Sequence, residues 1–296
     1  MSTRVSVLMT VYNAAAYLAR SVDSLLQQSF ANWELVVIEN GSTDGSANVL
    51  DGFSDPRLRV LQLTANIGRT PALRLAFENA RGEYIAVLDA DDTCAPQRLL
   101  KQVAYLDAHP EVVLLGSWTH YVDAEDRVIG EWAPRGDSAA VRTLMASGNP
   151  IVHSSAMYRA SAARAAGGYP PDAAFGQDLA LWLNLLSFGE PAVLQEYLCR
   201  FRILGDSMTR GRAYRVDAAR DKLALLLRAR ARLRPIGEGR RRNREELAIA
   251  RIRYAWALAR SGQAVKAARA AASALCRDPV YVLNNRITRG FLKHTR

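Results

Sequence analysis

Three carboxylates occur within four residues of this sequence, directly after an apolar run. Asp89, Asp91 and Asp92 belong to the segment DADD, and the run before it reads YIAVL. Carboxylates crowded in this way repel one another, so a bound cation would favour their joint ionisation. An all-oxygen ligand set suits Mg²⁺ or Mn²⁺, with water and substrate phosphates as further ligands. The alternative is a cluster of acids at the start of a helix that contains Pro96.

Polar residues follow other apolar runs in the same manner. Thr10, Val11 and Tyr12 end or follow the run VSVLMTV, and Glu39 and Asn40 follow the run ELVVI. Further along, the sequence Asn66-Ile67-Gly68-Arg69 precedes another helical pattern. From this pattern alone, Arg69 would be a solvated arginine that opens the helix.

The apolar runs predict the elements that position these residues. Strands are predicted at Val5–Val11, Glu34–Ile38, Leu58–Leu63, Tyr84–Leu88 and Val112–Leu115. Between them, amphipathic helices are predicted with the buried faces Leu18, Val22, Leu25 and Leu26, and Leu99, Leu100, Val103 and Leu106. This alternation predicts a doubly wound α/β sheet, mostly parallel and flanked by helices, and such sheets bind ligands at the carboxyl ends of their strands. The polar residues above are therefore expected along one edge of the sheet.

The rest of the chain is more mixed and then becomes helical. Short strands are predicted near Tyr121–Val122 and Val193–Arg202, and a helix is predicted around Asp178–Phe188. From about residue 212 the sequence is rich in Arg, Ala and Leu without strand patterns. We therefore expect a domain over 1–209 and a basic α-helical region over 210–296.

Composition excludes several classes of protein. The chain has 296 residues, of which 49% are hydrophobic and 23% charged, as in ordinary globular proteins. No stretch approaches the ~20 apolar residues of a membrane span, and the N-terminus lacks the pattern of a secretory signal. The three cysteines, Cys94, Cys199 and Cys276, have no metal-ligand spacing. These features predict a cytoplasmic protein with reduced thiols.

The net charge of +10 is unevenly distributed. Residues 1–209 carry 16 basic and 23 acidic side chains, whereas residues 210–296 carry 23 basic and 6 acidic ones. A basic region of this kind suits a polyanionic partner, although solvated arginines on a helical module are the alternative. Nucleic acid is not indicated, because the basic residues are not interleaved with stacking aromatics.

The basic region has two recognisable parts. Residues 247–279 have the small-residue spacing of one tetratricopeptide-like hairpin, which would pack on the rest of the chain or on another subunit as a homo-oligomer. Residues 280–296 form a basic amphipathic pattern that suits an anionic membrane surface. Packing of this segment on its own hairpin is the alternative.

Taken together, the motifs resemble glycosyltransferase family 2, whose members adopt the GT-A fold and take a sugar from a nucleotide donor. The resemblance covers about residues 4–209 and rests on five segments in the family's order and spacing: SVLMTVYNAAAYLARSVDSLLQQSFANWELVVIENGSTDGS (6–46), ANIGRTPALRLAFENARGEYIAVLDADD (65–92), HSSAMYR (153–159), GGYPPDAAFGQDLALWLNLLSFG (167–189) and FRILGDSMT (201–209). It implies a GT-A domain followed by a C-terminal helical extension.

The resemblance also implies roles for individual residues. Asp91 would bind a divalent Mn²⁺ or Mg²⁺ ion, and Asp89 is a second candidate ligand that would also hold the ribose side of the donor. The nucleotide-sugar donor would contact the residues at the strand ends: Thr10, Val11, Tyr12, Glu39, Asn40, Gly68, Arg69, Asp89 and Ala90. His153 and Gln177 would lie on the acceptor or donor side, with a structural hydrogen bond as the alternative for His153.

Asp178 falls where this family has its catalytic carboxylate, in the segment Gly176-Gln177-Asp178. As a general base it would accept the proton of the acceptor hydroxyl. A single base without a carboxylate nucleophile corresponds to one displacement with inversion at the anomeric carbon. The alternative for an isolated Asp before an apolar run is a helix N-cap.

Three positions depart from the family pattern. Glu39-Asn40 stands where two acids are usual, Gln177 stands where a glutamate usually precedes the base, and Leu204 stands where histidine is frequent.

The function implied by the resemblance is inverting, metal-dependent transfer of a sugar from a nucleoside-diphosphate donor, with a UDP-sugar expected. The acceptor would be a hydroxyl of a glycan or lipid-linked molecule in cell-surface polysaccharide synthesis, at the inner face of a membrane. One alternative is a catalytically silent homologue that acts as an adaptor through its helical tail. Another is a sugar-phosphate nucleotidyltransferase, although the first strand leads into VYNAAAY and not into a glycine-rich phosphate loop.

Overall fold

The computed structural model of the chain describes residues 3–204 and 216–278. The chain divides into two compact units. The first unit comprises residues 1–141, 150–172 and 180–204, and the second comprises residues 142–149, 173–179 and those from 205 onward. The sequence-based division at 209/210 stays a prediction.

A nine-stranded sheet runs through the described part of the first unit. Its strands are β1 (Val5–Val11), β2 (Trp33–Asn40), β3 (Leu58–Leu63), β4 (Tyr84–Val87), β5 (Thr93–Cys94), β6 (Val112–Val122), β7 (Val128–Trp132), β8 (Met157–Arg159) and β9 (Glu190–Arg202). Their order is β3-β2-β1-β4-β8-β6-β9-β5, and β7 pairs with β6. The α/β fold is thereby confirmed. The sheet is parallel from β3 to β4 and mixed beyond it, because β8 runs antiparallel to both of its neighbours.

Helices accompany the strands as the alternating pattern predicts. They are α1 (Ala15–Leu26), α2 (Ser46–Asp51), α3 (Arg69–Asn79), α4 (Arg98–Ala108), α5 (Ser138–Met145), α6 (Ala160–Ala165) and α7 (Gln177–Leu185). All residues of β2 and β4 are buried, because helices cover both faces of the sheet there. The predicted face of α4 is wrong at Leu100, whose side chain is 45% exposed, whereas Leu99, Val103 and Leu106 are buried.

The mixed half of the sheet differs from the sequence-based expectation. The predicted strands at Val112–Leu115 and Tyr121–Val122 are two ends of the single long strand β6. The strand predicted at Val193–Arg202 is β9, which begins earlier, at Glu190. The strands β7 and β8 have no counterpart among the predicted elements, since β7 has exposed apolar positions and β8 is only three residues long.

A buried arginine fixes the end of β4, which immediately precedes the acidic segment. The side chain of Arg98 on α4 is fully buried. Its Nη2 donates to the carbonyl oxygens of Val87 and Ala156, each at 3.0 Å, and its Nε donates to Gln102 Oε1 at 3.0 Å. Charge-assisted hydrogen bonds of this kind hold β4 against β8, so the backbone that leads into Asp89 is rigidly supported.

The second unit contains three further helices among the residues described from 216 to 278. They are α8 (Val216–Leu233), α9 (Gly237–Arg260) and α10 (Ala264–Arg277). Leu226 of α8 packs with Leu247 and Ala250 of α9, and another face of α9 packs on α10 around Ala274. Polar contacts also connect α9 to neighbouring segments. Arg251 and Asp278 form a buried ion pair, and Asn243 donates a hydrogen bond to the carbonyl of Ala146.

The membrane-related expectations concern a spanning helix and the basic segment near the C-terminus. Within residues 3–204 and 216–278, no helix combines the length and apolar character that crossing a bilayer requires. The amphipathic segment predicted at 280–296 lies outside the described residues. Its contact with an anionic surface therefore stays a prediction.

Candidate active site

The loops after β1 and β2 are joined to each other by hydrogen bonds. Thr10 and Val11 end β1, and Tyr12 follows with a side chain that is 48% exposed. Asn13 Oδ1 accepts the backbone N–H of Thr43 at 2.8 Å. The loops therefore form one connected wall at the carboxyl edge of the parallel strands, where ligands bind in sheets of this type.

The same loop contains Asp44, which supports the start of α1. Asp44 Oδ2 accepts the N–H of Ala15, the first residue of α1, at 2.9 Å. Ser46 Oγ accepts the neighbouring N–H of Ala14, also at 2.9 Å. These bonds satisfy donors that a helix N-terminus leaves open, and they hold the β2 loop against α1.

Glu39 and Asn40, at the end of β2, shape the adjoining loops. Glu39 Oε1 accepts the N–H of Ser42 at 2.8 Å. Asn40 Oδ1 accepts the N–H of Ile67 at 3.0 Å, and its Nδ2 donates to Asn66 Oδ1 at 3.1 Å. A carboxylate could accept the first of these Asn40 bonds but could not donate the second. The amide at position 40 therefore makes a pair of hydrogen bonds that a carboxylate could not.

The loop held by Asn40 leads directly to Arg69. Asn66 Oδ1 also accepts the N–H of Gly68 at 2.8 Å, and Gly68 has φ +91°, a conformation that favours glycine. Arg69 is the first residue of α3, and its Nη2 donates to Asp89 Oδ2 at 2.6 Å. Arg69 therefore opens a helix and also forms an ion pair with the first acid of the DADD segment.

Asp89 is held on its other oxygen by His153. His153 is 5% exposed and lies in a single 3-10 turn, with Nδ1 3.3 Å from Asp89 Oδ1. Burial opposes the ionisation of Asp89, but the charge of Arg69 and the contact with His153 outweigh it and hold the pKa of Asp89 below its ordinary value. Asp89 is therefore a fixed, negatively charged group at the end of β4.

Two tyrosines and a tryptophan lie close to the ring of His153. Tyr158 donates to the hydroxyl of Tyr169 at 3.3 Å, and that hydroxyl lies 3.0 Å from His153 Nε2. His153 Nδ1 also lies 3.2 Å from Arg69 Nη2, so that Arg69, Asp89 and Tyr169 all contact this ring. The ring of Trp182 is fully buried, and its centroid lies 6.1 Å from that of the His153 ring.

Asp92 has a structural position that differs from those of its neighbours. Its carboxylate is 1% exposed and accepts hydrogen bonds from Ser154 Oγ and, at 2.7 Å, from the backbone N–H of Arg202. Burial and the charges of Asp91 and Asp89 raise the pKa of Asp92 well above its ordinary value. Asp92 therefore links the acidic segment to the 3-10 turn and to the end of β9.

Replacing Asp92 by Ala is expected to destabilise the protein by about 1–3 kcal/mol, because two buried donors lose their acceptor. Asp92→Asn should cost less, since an amide oxygen can still accept the N–H of Arg202 and the Ser154 hydroxyl can turn to accept. Chemical denaturation of the two variants measures the difference. Equal stability of the wild type and the Ala variant would contradict this assignment.

Asp91 differs from both neighbours because its carboxylate is not engaged by another residue. No other residue among 3–204 and 216–278 donates a hydrogen bond to it or forms an ion pair with it. Burial and the adjacent charge of Asp89 raise the pKa of Asp91 above its ordinary value. A cation bound next to both carboxylates would relieve this repulsion.

The described residues fit a divalent ion that takes most of its ligands from water and substrate. No group of three or more His, Cys, Asp or Glu side chains that could hold a metal ion occurs within 3–204 or 216–278. Mg²⁺ at phosphate-binding sites is commonly held by one or two carboxylates together with water and substrate phosphates. Asp91 provides one such carboxylate, whereas the oxygens of Asp89 contact Arg69 and His153 and those of Asp92 contact Ser154 and the backbone of Arg202.

Asp178 and Gln177 belong to the second unit, at the start of α7. Gln177 is the first helical residue and is buried, and Asp178 lies in the first turn. Asn149 Nδ2 donates to Asp178 Oδ2 at 2.7 Å, and the N–H of Leu179 donates to Oδ1 at 2.8 Å. Asp178 is thus the second residue of the helix and does not lie at its N-cap.

Comparison with known proteins identifies the family. The family model described as glycosyl transferase family 2 matches residues 6–167. The putative glycosyltransferase EpsE of Bacillus subtilis is 34% identical over 227 residues, which are 73% of this chain and 79% of EpsE. The chain belongs to glycosyltransferase family 2. It is therefore a glycosyltransferase, as the five sequence motifs predict, and not a sugar-phosphate nucleotidyltransferase.

A relative and two solved structures extend this result. The amylovoran biosynthesis glycosyltransferase AmsE of Erwinia amylovora is 29% identical over 78% of this chain and 94% of AmsE. TarS of S. aureus, solved with UDP-GlcNAc, is 18% identical with a TM-score of 0.66 over 85% of this chain and 72% of that one. The mannosyltransferase PcManGT of Pyrobaculum calidifontis, solved with GDP-Man and Mn²⁺, is 23% identical with a TM-score of 0.61 over 98% of this chain and 83% of that one. The structural similarities establish the GT-A fold of this family 2 enzyme.

Sequence reasoning missed several residues that hold the candidate site together. Tyr169 and Asn149 contact His153 and Asp178, respectively, yet neither follows a predicted strand or belongs to a charged cluster. The segment GGY that contains Tyr169 gave a signal only as part of the family resemblance. Asn149 gave none, because its role depends on a contact across 29 residues of sequence.

Proposed function

We propose that this enzyme transfers a sugar, with inversion, from a nucleoside diphosphate to a hydroxyl of a glycan or lipid-linked acceptor. We expect a UDP-sugar donor and a role in cell-surface polysaccharide synthesis at the cytoplasmic side of a membrane. One observation carries the proposal: Asp91 is an unengaged carboxylate at the end of β4, beside the fixed charge of Asp89. The names of the relatives support it, because AmsE acts in amylovoran biosynthesis and TarS was solved with UDP-GlcNAc.

The donor would bind along the carboxyl edge of the parallel strands. Its nucleoside would contact Thr10, Val11, Tyr12, Glu39 and Asn40, and its ribose and diphosphate would lie near Gly68, Arg69, Asp89 and Ala90. Arg69 carries a guanidinium, which suits recognition of phosphate oxygens. The hydrogen bonds of Asn40 support this role, because they fix the loop from which Arg69 projects.

Asp91 would hold a Mn²⁺ or Mg²⁺ ion, with Asp89 as a second ligand. Such an ion acts as a Lewis acid that stabilises negative charge on a leaving diphosphate. The complex of PcManGT with GDP-Man and Mn²⁺ supports the use of a divalent ion by an enzyme of this fold. His153 would keep Asp89 correctly oriented through the contact between its Nδ1 and Asp89 Oδ1.

Asp178 would act as the general base that takes the proton of the acceptor hydroxyl. Its oxygens accept hydrogen bonds from Asn149 Nδ2 and the N–H of Leu179, which fix the orientation of the carboxylate. Gln177 would assist on the acceptor or donor side. No second carboxylate nucleophile is assigned, which corresponds to a single displacement and inversion.

A donor screen tests this proposal. The purified chain is heated with a panel of UDP-, GDP- and dTDP-sugars, each with and without Mn²⁺, and hydrolysis of each donor is followed in parallel. A ligand at 100-fold its Kd adds about 2.7 kcal/mol of stability, so one class of donor should raise the Tm by several degrees only when Mn²⁺ is present. Absence of any donor-dependent shift and of any hydrolysis would favour the silent homologue.

A further inference from the structure

Helices α8 and α9 form a hairpin whose closed end is exposed. Leu226 of α8 packs with Leu247 of α9, and the two helices are joined by only three residues, 234–236. Helix α8 is also fixed within the second unit at Leu225, because a Cβ atom at Gly176 would lie only 2.6 Å from Leu225 Cδ1. The connecting turn is therefore presented by two packed helices and has a defined position within this unit.

The residues around this turn carry a dense cluster of positive charge. We call residues 228–242 the basic turn. They comprise one acid, Glu238, and seven arginines, which gives a formal charge of +6. All seven arginines are exposed, four of them at or just after the end of α8 and three near the start of α9: Arg228, Arg230, Arg232, Arg234 and the triplet 240–242. Such a concentration of one sign of charge attracts polyanions.

Pairing within the described part of the chain leaves much of this charge uncompensated. Glu238 Oε1 forms an ion pair with Arg242 Nη2 at 2.6 Å. The side chains of Arg230, Arg234 and Arg240 form no hydrogen bond or ion pair with any residue among 3–204 and 216–278. With respect to the described residues, these three guanidinium groups are therefore available to an external partner.

Helix stability explains only the part of this cluster that lies on α8. Cations are favourable near the C-terminus of a helix, and Arg230 and Arg232 lie in the last turn of α8. The triplet 240–242 lies near the N-terminus of α9, which begins at Gly237, and the dipole of a helix disfavours cations at that end. Repulsion between neighbouring guanidinium groups adds to this effect. An anionic partner that binds the basic turn would relieve both.

A large apolar side chain lies in the middle of the basic turn. Ile236 is 85% exposed, the largest exposed fraction among the large hydrophobic residues that the structure describes. It is the N-cap residue of α9 and directly follows Pro235. Exposed arginines and an exposed isoleucine at one turn suit a membrane surface, where cations attract anionic head groups and an apolar side chain enters the boundary with the acyl chains.

We propose that the basic turn is the surface by which this enzyme docks on a bilayer that contains anionic lipid. Its guanidinium groups bind lipid phosphates, which suit arginine, and Ile236 enters the acyl boundary. The inference rests on the part of the proposed function that places the enzyme at a membrane. It goes further by assigning the contact to residues 228–242, whereas the sequence pattern indicated 280–296. Nucleic acid fits less well, because the basic turn has no aromatic residue on which a base could stack.

Co-sedimentation of the full chain with vesicles at fixed ionic strength tests the proposal. The wild type should bind vesicles of phosphatidylglycerol and phosphatidylcholine in equal parts, and not vesicles of phosphatidylcholine alone. The triple variant Arg230→Gln, Arg234→Gln and Arg240→Gln should bind about 100-fold more weakly, since each basic residue near an anionic surface contributes about fivefold. Ile236→Ser should bind about tenfold more weakly, because the apolar insertion is lost.

Matched variants elsewhere on α9 and α10 separate this surface from net charge. The triple variant Arg253→Gln, Lys266→Gln and Arg269→Gln removes three exposed charges outside the basic turn. Val265→Ser replaces another exposed apolar side chain, which is 69% exposed on α10. Both variants should bind anionic vesicles as the wild type does, because salt screens charges that lie far from the bilayer. Equal loss of binding in the two triple variants would overturn the assignment, since net charge alone would then explain it.

Donor hydrolysis and RNA binding distinguish the ways in which the inference could fail. Hydrolysis without vesicles should be the same for the wild type and all variants, which also shows that each variant is folded. A wild type that hydrolyses a donor but does not bind anionic vesicles would overturn this inference alone. Vesicle binding with the expected variant effects, but without action on any donor, would support the docking surface and overturn the proposed function. Binding to duplex RNA that exceeds vesicle binding and does not depend on Ile236 would overturn the membrane assignment in favour of nucleic acid.

Discussion

Replacing Asp178 by Asn is expected to lower the rate of sugar transfer by about 10²- to 10⁴-fold, the usual effect of losing a general base. The amide has the same shape and its oxygen can still accept the bond from Asn149 Nδ2, so the local structure should persist. Donor binding should stay within a few fold, because the base acts on the acceptor. Single-turnover transfer and donor-dependent thermal shift measure the two quantities separately.

The matched control is Asp172→Asn, at an exposed aspartate six residues earlier in the chain. This variant removes the same charge without touching α7, so its transfer rate should equal that of the wild type. Retention of more than about a third of the wild-type rate by Asp178→Asn would remove Asp178 from the chemical step.

The second large effect is expected from Asp91→Asn. A neutral amide is a poorer ligand for a hard cation than a carboxylate, and Lewis-acid stabilisation by a metal ion is worth several kcal/mol. Transfer in the presence of Mn²⁺ should therefore fall by at least ~10²-fold, since each 1.4 kcal/mol corresponds to a factor of ten. The free energy of unfolding should not fall, because the Asp91 carboxylate accepts no described hydrogen bond from another residue, and the bond from Arg202 Nε to the Asp91 backbone carbonyl is retained in the variant.

Asp92→Asn is the control for this prediction, since it changes a neighbouring acid whose oxygens are already occupied. Donor affinity is measured for the wild type and both variants with Mn²⁺ and with a chelator. The wild type should lose affinity on chelation, and the Asp91 variant should show little further loss. Equal donor affinity of all three proteins under both conditions would exclude Asp91 as a metal ligand.

Most strands in the parallel half of the sheet could be predicted from the sequence because they are buried on both faces. The apolar run Val5–Val11 coincides with β1, and the predicted strand Leu58–Leu63 coincides with β3, although β3 is a partly exposed edge strand that contains Arg59 and Gln62. In the mixed half this signal fails, because β6 has partly exposed polar and aromatic residues toward its end and β8 is too short for a pattern. Strands of that kind are defined by their neighbours and not by local periodicity.

In the candidate site, likewise, the sequence predicts which residues matter but not the distant contacts that distinguish them. The sequence pointed to the acids of the DADD segment but could not distinguish their three states. Asp89 is paired with Arg69, Asp92 bonds to Ser154 and to the backbone of Arg202, and Asp91 is unengaged. These differences arise from partners 20 to 110 residues away in sequence, so no reading of four adjacent residues could supply them.

The contact between Gly176 and Leu225 restricts how this enzyme could be recombined with its relatives. A Cβ atom at position 176 would lie 2.6 Å from Leu225 Cδ1, so a side chain there requires Leu225 to move or to be replaced by a smaller residue. A chimaera that exchanges α8 alone would inherit a mismatched neighbour for the turn before α7. We therefore expect successful exchanges to move residues 173–179 and the helix together, as one inherited block.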